Sequence, residues 1–243
     1  MKTVVTIAIL AGLTLMAQNF AAAPGRAADN RAPVVVELFT SQGCSSCPPA
    51  DAFLGELAQR KDVIALAYHV DYWDYIGWKD RYASPAWTDR QKAYAGALEL
   101  RTLYTPQMVI DGRADAVGSD RGNVNFLIER SATLAKLELT MDSSGGKHLL
   151  HLPQAQLNRP ATVWLAVYDP EQHTQVSRGE NAGSTLSEYN IVRELRKVAS
   201  WDGAATTLDL NLADAMGKGQ VCVVLVQSAG QGPILAVLRV PAS

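Results

Sequence analysis

The sequence predicts an α/β domain at residues 29–136, followed by a mostly-β, sandwich-like domain at residues 137–243. In the first region, nearly continuous apolar runs alternate with segments whose apolar residues repeat at helical spacing. In the second region, short β-branched runs are separated by Gly, Ser, Asn and Pro clusters. The first pattern is typical of strands alternating with helices, and the second of an all-β sandwich.

The first domain opens with a strand, a helix and a second strand. "VVVELFT" and "DVIALAYHVDYW" are apolar runs typical of strands buried on both faces. Between them, "PPADAFLGELAQR" carries Phe53, Leu54 and Leu57 at helical spacing. This order predicts a parallel strand pair joined by a right-handed crossover helix.

The domain continues with an inserted helix, predicted from Pro85 to about Leu98. "TPQMVIDG" and "RADAVGS" then form two strands joined at Asp111-Gly112, which is a strong hairpin signal. An amphipathic helix in "RGNVNFLIERSATLAKL" ends the unit. The predicted order is therefore β-α-β, inserted helix, β-β-α.

The second domain is predicted from its short strands. They are "LELTMDSSGGKHLLHLP", "ATVWLAVYD", "TTLDLNL", "QVCVVLVQS" and "PILAVLRV". "YNIVRELRKVASW" fits either a helix or a strand, and we assign it as a strand. Cys222, inside an apolar run, is expected to be an inert buried thiol.

The N-terminal segment and the charge indicate where the protein acts. Lys2 precedes an apolar run at residues 4–16, which is shorter than the roughly 20 residues needed to span a bilayer. Small residues at 21–28 offer cleavage sites, so residues 1–28 are predicted to be a signal peptide and the protein periplasmic or secreted. A retained signal anchor is the alternative. The net charge of -2 argues against nucleic acid or an anionic membrane as partner.

Cys44 and Cys47 form a C-x-x-C motif, which suits a zinc half-site, a structural staple or a redox pair. Zinc needs further ligands at similar spacing, whereas Cys222 is far away in an apolar run. A staple that closes so short a loop stabilises little. At a helix start, unpaired N–H groups and the helix dipole favour the thiolate of the first cysteine. We therefore predict a redox pair in which an exposed Cys44 attacks and a shielded Cys47 resolves.

Residues 34–136 resemble the thioredoxin superfamily, in which a C-x-x-C motif stands at a strand–helix junction. The resemblance implies a cis bond at Thr105-Pro106, with Pro106 shaping the substrate groove beside the cysteines. "VELFTSQGCSSCPPAD", "HVDYWDYIGWKD", "YTPQMVIDG" and "VSRGENAG" also resemble secreted bacterial proteins of the domain of unknown function 1223 family. That second resemblance covers nearly the whole mature chain and implies a thioredoxin-like fold with a C-terminal β domain.

Two positions depart from the thioredoxin pattern. Gly43 stands where thioredoxins carry an aromatic residue before the first cysteine. Their buried acid lies six residues before that cysteine, whereas Glu37 lies seven before Cys44. A carboxylate in an apolar strand is costly without a partner or a raised pKa. Glu37 is therefore either a proton relay or a salt-bridged structural acid.

Other candidates lie at the end of the second strand and in the later turn. His69, Asp71 and Trp73 form either a wall of the substrate groove, with Thr105, or a capped strand end with packed aromatics. Arg178, Glu180 and Asn181, in "RGENAG", are interpreted as a turn.

The sequence thus predicts an exported thiol-disulfide oxidoreductase that acts on protein or small-molecule disulfides without a cofactor or metal. One alternative is a copper-handling protein with Cys44, Cys47 and His69 as ligands. The other is a binding or scaffold protein in which the cysteines are idle.

Overall fold

The protein combines three α-helices with eleven strands over the residues that a computed structural model describes, 32–212 and 214–240. The predicted signal peptide lies outside these residues. The first half contains β1 (Val34–Thr40), α1 (Pro48–Ala58), β2 (Val63–His69), a 3₁₀ turn (Asp74–Ile76), α2 (Pro85–Ala97), β3 (Gln107–Ile110), β4 (Ala114–Val117) and α3 (Arg121–Ala132). The second half contains β5 (Thr140–Ser144), β6 (Lys147–Leu152), β7 (Ala161–Gln175), β8 (Thr185–Trp201), β9 (Thr206–Asp209), β10 (Val221–Ser228) and β11 (Ile234–Arg239).

Eight of the strands form one mixed sheet in the order β11-β10-β7-β8-β2-β1-β3-β4. β1 runs parallel to β2 and antiparallel to β3, and β3 pairs antiparallel with β4. The predicted order of elements in the first half is therefore confirmed. β5, β6 and β9 form a separate three-stranded sheet.

The two halves of the chain share the large sheet. β8 joins β2 in parallel at the pair Ala67 and Ile191, and residues from both halves contribute to one apolar cluster. The three-stranded sheet packs on the opposite face of β7 and β10, where Leu150, Val163 and Val224 are buried together. That the halves on either side of residues 136 and 137 fold independently stays a prediction. Strands from both halves belong to the same large sheet.

The helices cover the two faces of β1. Side chains alternate along a strand, so Val36 and Leu38 pack with α1 and α3, while Val35 and Phe39 pack with α2. Glu37 belongs to the second set by this alternation. α1 and the cysteines that precede it therefore lie on the face of the sheet that Glu37 does not share.

The residues at or near the helix ends explain where the helices begin and end. α1 begins at Pro48 and Pro49, whose missing N–H groups cost nothing in a first turn, and the side chain of Ser84 caps α2. α3 ends at Ala132, earlier than predicted, because the chain turns back and Lys136 binds the buried carboxylate of Asp111 at 2.8 Å. Within the described ranges no helix is long and apolar enough to cross a membrane.

β7 and β8 are longer than the sequence indicated. β7 continues to Gln175, past the predicted end at Asp169, and β8 starts at Thr185. Most of the added residues are polar, and Thr174 and Glu188 among them are buried. This extension carries the tip of the hairpin, residues 176–184, to the loop that precedes α1.

Candidate functional site

Cys44 and Cys47 are joined by a disulfide immediately before α1. The backbone N–H of Cys47 donates to the carbonyl of Cys44 at 3.2 Å, which closes a tight turn between them. β1 leads into this turn through a loop of buried residues that includes Gln42 and Gly43. The predicted strand–turn–helix context is therefore present.

Both cysteines are buried, which corrects the expectation that Cys44 is exposed. Cys44 is 1% exposed and Cys47 is 0% exposed, whereas Ser45 and Ser46 between them are exposed. Gly43 explains part of this burial, because a Cβ there would lie 3.1 Å from the Cβ of Trp73. The loop therefore packs its backbone directly against Trp73, and a side chain at position 43 would displace Trp73 by a few tenths of an ångström.

Two hydroxyl groups contact the sulfur of Cys44. The hydroxyl of Thr105 donates to this sulfur at 3.3 Å, and that of Ser46 lies 3.4 Å from it. The indole N–H of Trp73 donates to the Thr105 oxygen at 2.8 Å, which leaves the Thr105 proton directed at the sulfur. The Thr105-Pro106 bond is cis, as predicted.

The first turn of α1 does not supply the unpaired N–H groups that the sequence led us to expect. Pro48 and Pro49 have no N–H, and the N–H groups of Ala50 and Asp51 donate to the carbonyl of Cys47. A thiolate at Cys44 would therefore be stabilised mainly by the hydroxyls of Thr105 and Ser46 and by the helix dipole.

We expect Thr105→Val to raise the thiol pKa of Cys44 in the reduced protein by about one unit, because the variant removes a hydrogen bond to the thiolate. The ultraviolet absorbance of the thiolate, followed against pH, measures the shift. Thr102→Val, in an exposed part of the same loop, is the control. An equal pKa in the two variants would contradict the assignment.

A buried polar network lies beneath the cysteine loop, with Gln42 at its centre. The backbone N–H of Gln42 donates to Asp80 at 2.8 Å, and its side-chain oxygen accepts from the indole of Trp78 at 2.8 Å. Its side-chain nitrogen donates to Glu188 at 2.8 Å and to Thr174 at 3.1 Å. Side chains from both halves of the chain therefore meet under the disulfide loop.

His69 belongs to this network, whereas Asp71 does not. Nδ1 of His69 lies 2.7 Å from Asp80, and its buried Nε2 has no hydrogen-bond partner among the described residues. Burial opposes the charged imidazole, but Asp80 and Glu188 raise the pKa of His69 above its ordinary value. Asp71 instead accepts from the hydroxyl of Thr88 in α2 at 2.6 Å. Across residues 32–212 and 214–240, no three His, Cys, Asp or Glu side chains form a metal-binding group.

Asp51, which the sequence analysis missed, is a buried acid one helical turn after Cys47. Its N–H donates to the carbonyl of Cys47 at 3.1 Å, and its carboxylate accepts from the hydroxyl of Thr40 at 2.7 Å. Burial raises the pKa of Asp51 from its ordinary value of 3.8 to about 7. The sequence carried a signal for the burial of Asp51, because Asp51 lies three residues before the buried Leu54 and therefore on the same face of the helix.

Glu37 forms a buried ion pair on the other face of the sheet. Its Oε1 lies 2.7 Å from Nη2 of Arg90, and its Oε2 accepts from the hydroxyl of Tyr94. Arg90 also contacts Gln227 of β10 at 3.2 Å, so the pair links α2 to both halves of the sheet. These are the surroundings of a salt-bridged structural acid, the second of the two interpretations of Glu37.

Glu37→Gln is expected to lower the free energy of unfolding by about 3 kcal/mol, because it leaves the buried charge of Arg90 without a counter-ion. Urea unfolding measures this loss. Glu129→Gln, on the exposed side of α3, is the control. A double variant, Glu37→Gln with Arg90→Met, should recover part of the loss, and a double variant with fully additive losses would contradict the pairing.

The hairpin tip between β7 and β8 contacts the cysteine loop directly. Nδ2 of Asn181 donates to the carbonyl of Gln42 at 2.9 Å and to the carbonyl of Cys44 at 3.0 Å. Gly179 has a φ of +77°, which strains any other residue, and it packs tightly against Trp78, since a Cβ would lie 3.1 Å from the Cβ of Trp78. The segment assigned to a turn therefore borders the disulfide.

The fold and the site together define a mixed α/β protein. It has a large β-sheet and a C-x-x-C motif whose two cysteines form a disulfide at the start of a helix. The chain belongs to the family described as protein of unknown function (DUF1223), whose profile matches residues 35–227. The crystal structure of protein AGR_C_4864 from Agrobacterium tumefaciens is 35% identical, with a TM-score of 0.74 over 87% of this chain and 95% of that one.

A second solved structure, HBP35 of Porphyromonas gingivalis, is similar to this chain in fold alone. It is 13% identical, with a TM-score of 0.59 over 86% of this chain and 75% of that one. Among curated proteins, no match to this chain was found.

Proposed function

We propose that the protein is an exported thiol-disulfide oxidoreductase in which Cys44 exchanges disulfides with a thiol or disulfide substrate. The observation that carries the proposal is the Cys44–Cys47 disulfide at the start of α1, with the Thr105 hydroxyl donating to the Cys44 sulfur. A hydroxyl directed at one sulfur favours the thiolate at that position, and the thiolate is the attacking form in disulfide exchange.

We also propose that residues 34–136 form a thioredoxin-like unit. Its support is the strand order β2-β1-β3-β4, with the first pair parallel and the others antiparallel. The packing of α1 and α3 on one face and α2 on the other is further support. We propose a location outside the cytoplasm, where disulfides persist, because the sequence predicts an N-terminal signal peptide.

The proposed exchange takes two steps. In the reduced protein, the Cys44 thiolate attacks one sulfur of a substrate disulfide, so a mixed disulfide forms and one substrate thiolate leaves. The Cys47 thiolate then attacks the Cys44 sulfur, which restores the Cys44–Cys47 disulfide and releases the second substrate thiolate. Two electrons pass to the substrate, whose two thiolates take up the two protons given up by the cysteines.

Asp51 is the proposed proton acceptor for Cys47. A buried thiol must lose its proton before it attacks, and a group with a pKa of about 7 suits that transfer near neutral pH. Asp51 lies in the first turn of α1, four residues after Cys47 at the N-cap, whereas Glu37 is paired with Arg90 on the other face of the sheet. We therefore move the proposed relay from Glu37 to Asp51.

A protein-disulfide reduction assay, with dithiothreitol as the reductant, tests the proposed function. Wild-type protein should accelerate the reduction, and the double variant Cys44→Ser, Cys47→Ser should not. A redox titration of the same protein then decides between oxidase and reductase. Equal rates for the two proteins would overturn the proposal. In that case, Cu(I) binding that His69→Ala abolishes would favour the copper-handling alternative, and its absence the scaffold alternative.

A further inference from the structure

We propose that Asn181, at the tip of the β7–β8 hairpin, is a positioning residue that lowers the reduction potential of the Cys44–Cys47 pair. It does so by holding the turn that brings the two sulfurs together. The biological use of this effect rests on the proposed function, but its measurement does not.

The amide of Asn181 binds both sides of the first cysteine. Its single nitrogen donates one hydrogen to the carbonyl of Gln42 and the other to the carbonyl of Cys44, at 2.9 and 3.0 Å. The Cys44 carbonyl also accepts the N–H of Cys47 at 3.2 Å. Asn181 therefore reinforces the hydrogen-bonded turn whose two ends are the cysteines.

The hairpin is anchored well enough to act as a rigid support. Next to its tip, Thr174 and Glu188 bind the buried side chain of Gln42. Directly after Glu188 on β8, the Tyr189 ring packs so closely on α1 that a Cβ at Gly55 would lie 2.5 Å from it. These contacts hold the tip of the hairpin against α1. They therefore fix the position of Asn181 relative to the cysteine loop.

A support of this kind favours the disulfide over the dithiol. The Cα atoms of the two cysteines are 5.4 Å apart in the oxidised protein, within the range that a disulfide requires. Reduction breaks the S–S bond, adds two electrons and two protons, and lets the sulfurs separate. Contacts that hold the closed turn stabilise the oxidised state more than the reduced state. This difference in stabilisation shifts the equilibrium between disulfide and dithiol toward the disulfide.

The test measures the reduction potential of Asn181→Ala by equilibration with glutathione buffers and counting of free thiols. We expect the equilibrium constant for reduction to rise about tenfold, which is roughly 30 mV for a two-electron couple. Gly179→Ala displaces the tip without altering Asn181 and should shift the potential in the same direction. If Asn181→Ala does not fold, Gly179→Ala carries the test.

Asn190→Ala is the matched control, since Asn190 is on the same hairpin and donates at 2.8 Å to a carbonyl of β2, that of Ala65. It should lower thermal stability without moving the potential. An unchanged potential in folded Asn181→Ala and Gly179→Ala would overturn the inference, and so would an equal shift in Asn190→Ala. A shifted potential in a protein without exchange activity would overturn the proposed function and leave this inference standing.

Discussion

Cys47→Ser is expected to accumulate covalent adducts with substrates, whereas Cys44→Ser is expected to form none. In the first variant, Cys44 still attacks a substrate disulfide, but no second thiolate is present to break the mixed disulfide. Thr105 and Ser46 contact the sulfur of Cys44, which supports its assignment as the attacking group. Non-reducing gels of each variant, expressed in the native host, measure the adducts.

Reduction of the gel samples should release the adducts of Cys47→Ser, which shows that they are disulfides. Cys44→Ser is the matched control, since it removes one sulfur from the same turn. Adducts on Cys44→Ser alone would reverse the two roles. Because both cysteines are buried, the assignment of Cys44 as the attacking group rests on the two hydroxyl contacts to its sulfur and not on exposure.

Asp51→Asn is expected to remove a pH dependence of stability between about pH 4 and pH 7. The folded protein holds a proton on Asp51 up to a pKa of about 7, whereas the unfolded chain releases it near 3.8. Because the folded pKa is raised, the stabilisation is fully present below pH 3.8 and is lost as the pH rises through 7. The shift corresponds to about 4 kcal/mol.

Urea unfolding of the oxidised protein at pH 5 and pH 8 measures this effect. Asp51→Asn should be more stable than the wild type by up to about 4 kcal/mol at pH 8 but by only about 2 kcal/mol at pH 5, because the unfolded chain already releases the proton above pH 3.8. Glu56→Gln is the control on the same helix, because the hydrogen bond from Arg121 lowers the pKa of Glu56. A wild-type slope retained in Asp51→Asn would contradict the burial of a protonated acid.

The same variant tests the proposed proton transfer. If Asp51 accepts the proton of Cys47, Asp51→Asn should slow the release of substrate from the mixed disulfide by about 100-fold near neutral pH. Stopped-flow mixing of the reduced protein with a disulfide substrate separates this step from the first attack. Equal slowing of both steps would indicate a structural effect of the substitution instead.

Several features followed from local patterns in the sequence. The C-x-x-C pair, the prolines behind it and the order of strands and helices depend on residues close together in the chain. The burial of Cys222 was also predicted correctly. These predictions succeeded because turn chemistry, helix starts and apolar runs are determined mainly by neighbouring residues. The cis bond before Pro106 was also predicted correctly, but from the resemblance to the thioredoxin superfamily and not from a local pattern.

Strand length was only partly predictable. The runs "ATVWLAVYD" and "YNIVRELRKVASW" identified the apolar parts of β7 and β8, but their mostly polar extensions carry no strand signal of their own. Thr174 and Glu188 are buried where Gln42, from the other half of the chain, binds them. Periodicity cannot report a contact between residues more than a hundred positions apart.

The sequence by itself determined the presence of the cysteine pair, its position before a helix and the class of exchange chemistry we propose for it. Only the tertiary structure decided its surroundings: the burial of Cys44, the pairing of Glu37 with Arg90, the elevated pKa of Asp51 and the contact of Asn181 with the cysteine loop. The physical reason is that burial, ion pairing and hydrogen bonding depend on distances in space. The sheet brings β8 and its hairpin beside β2 and α1, and no local pattern in the chain specifies that neighbour.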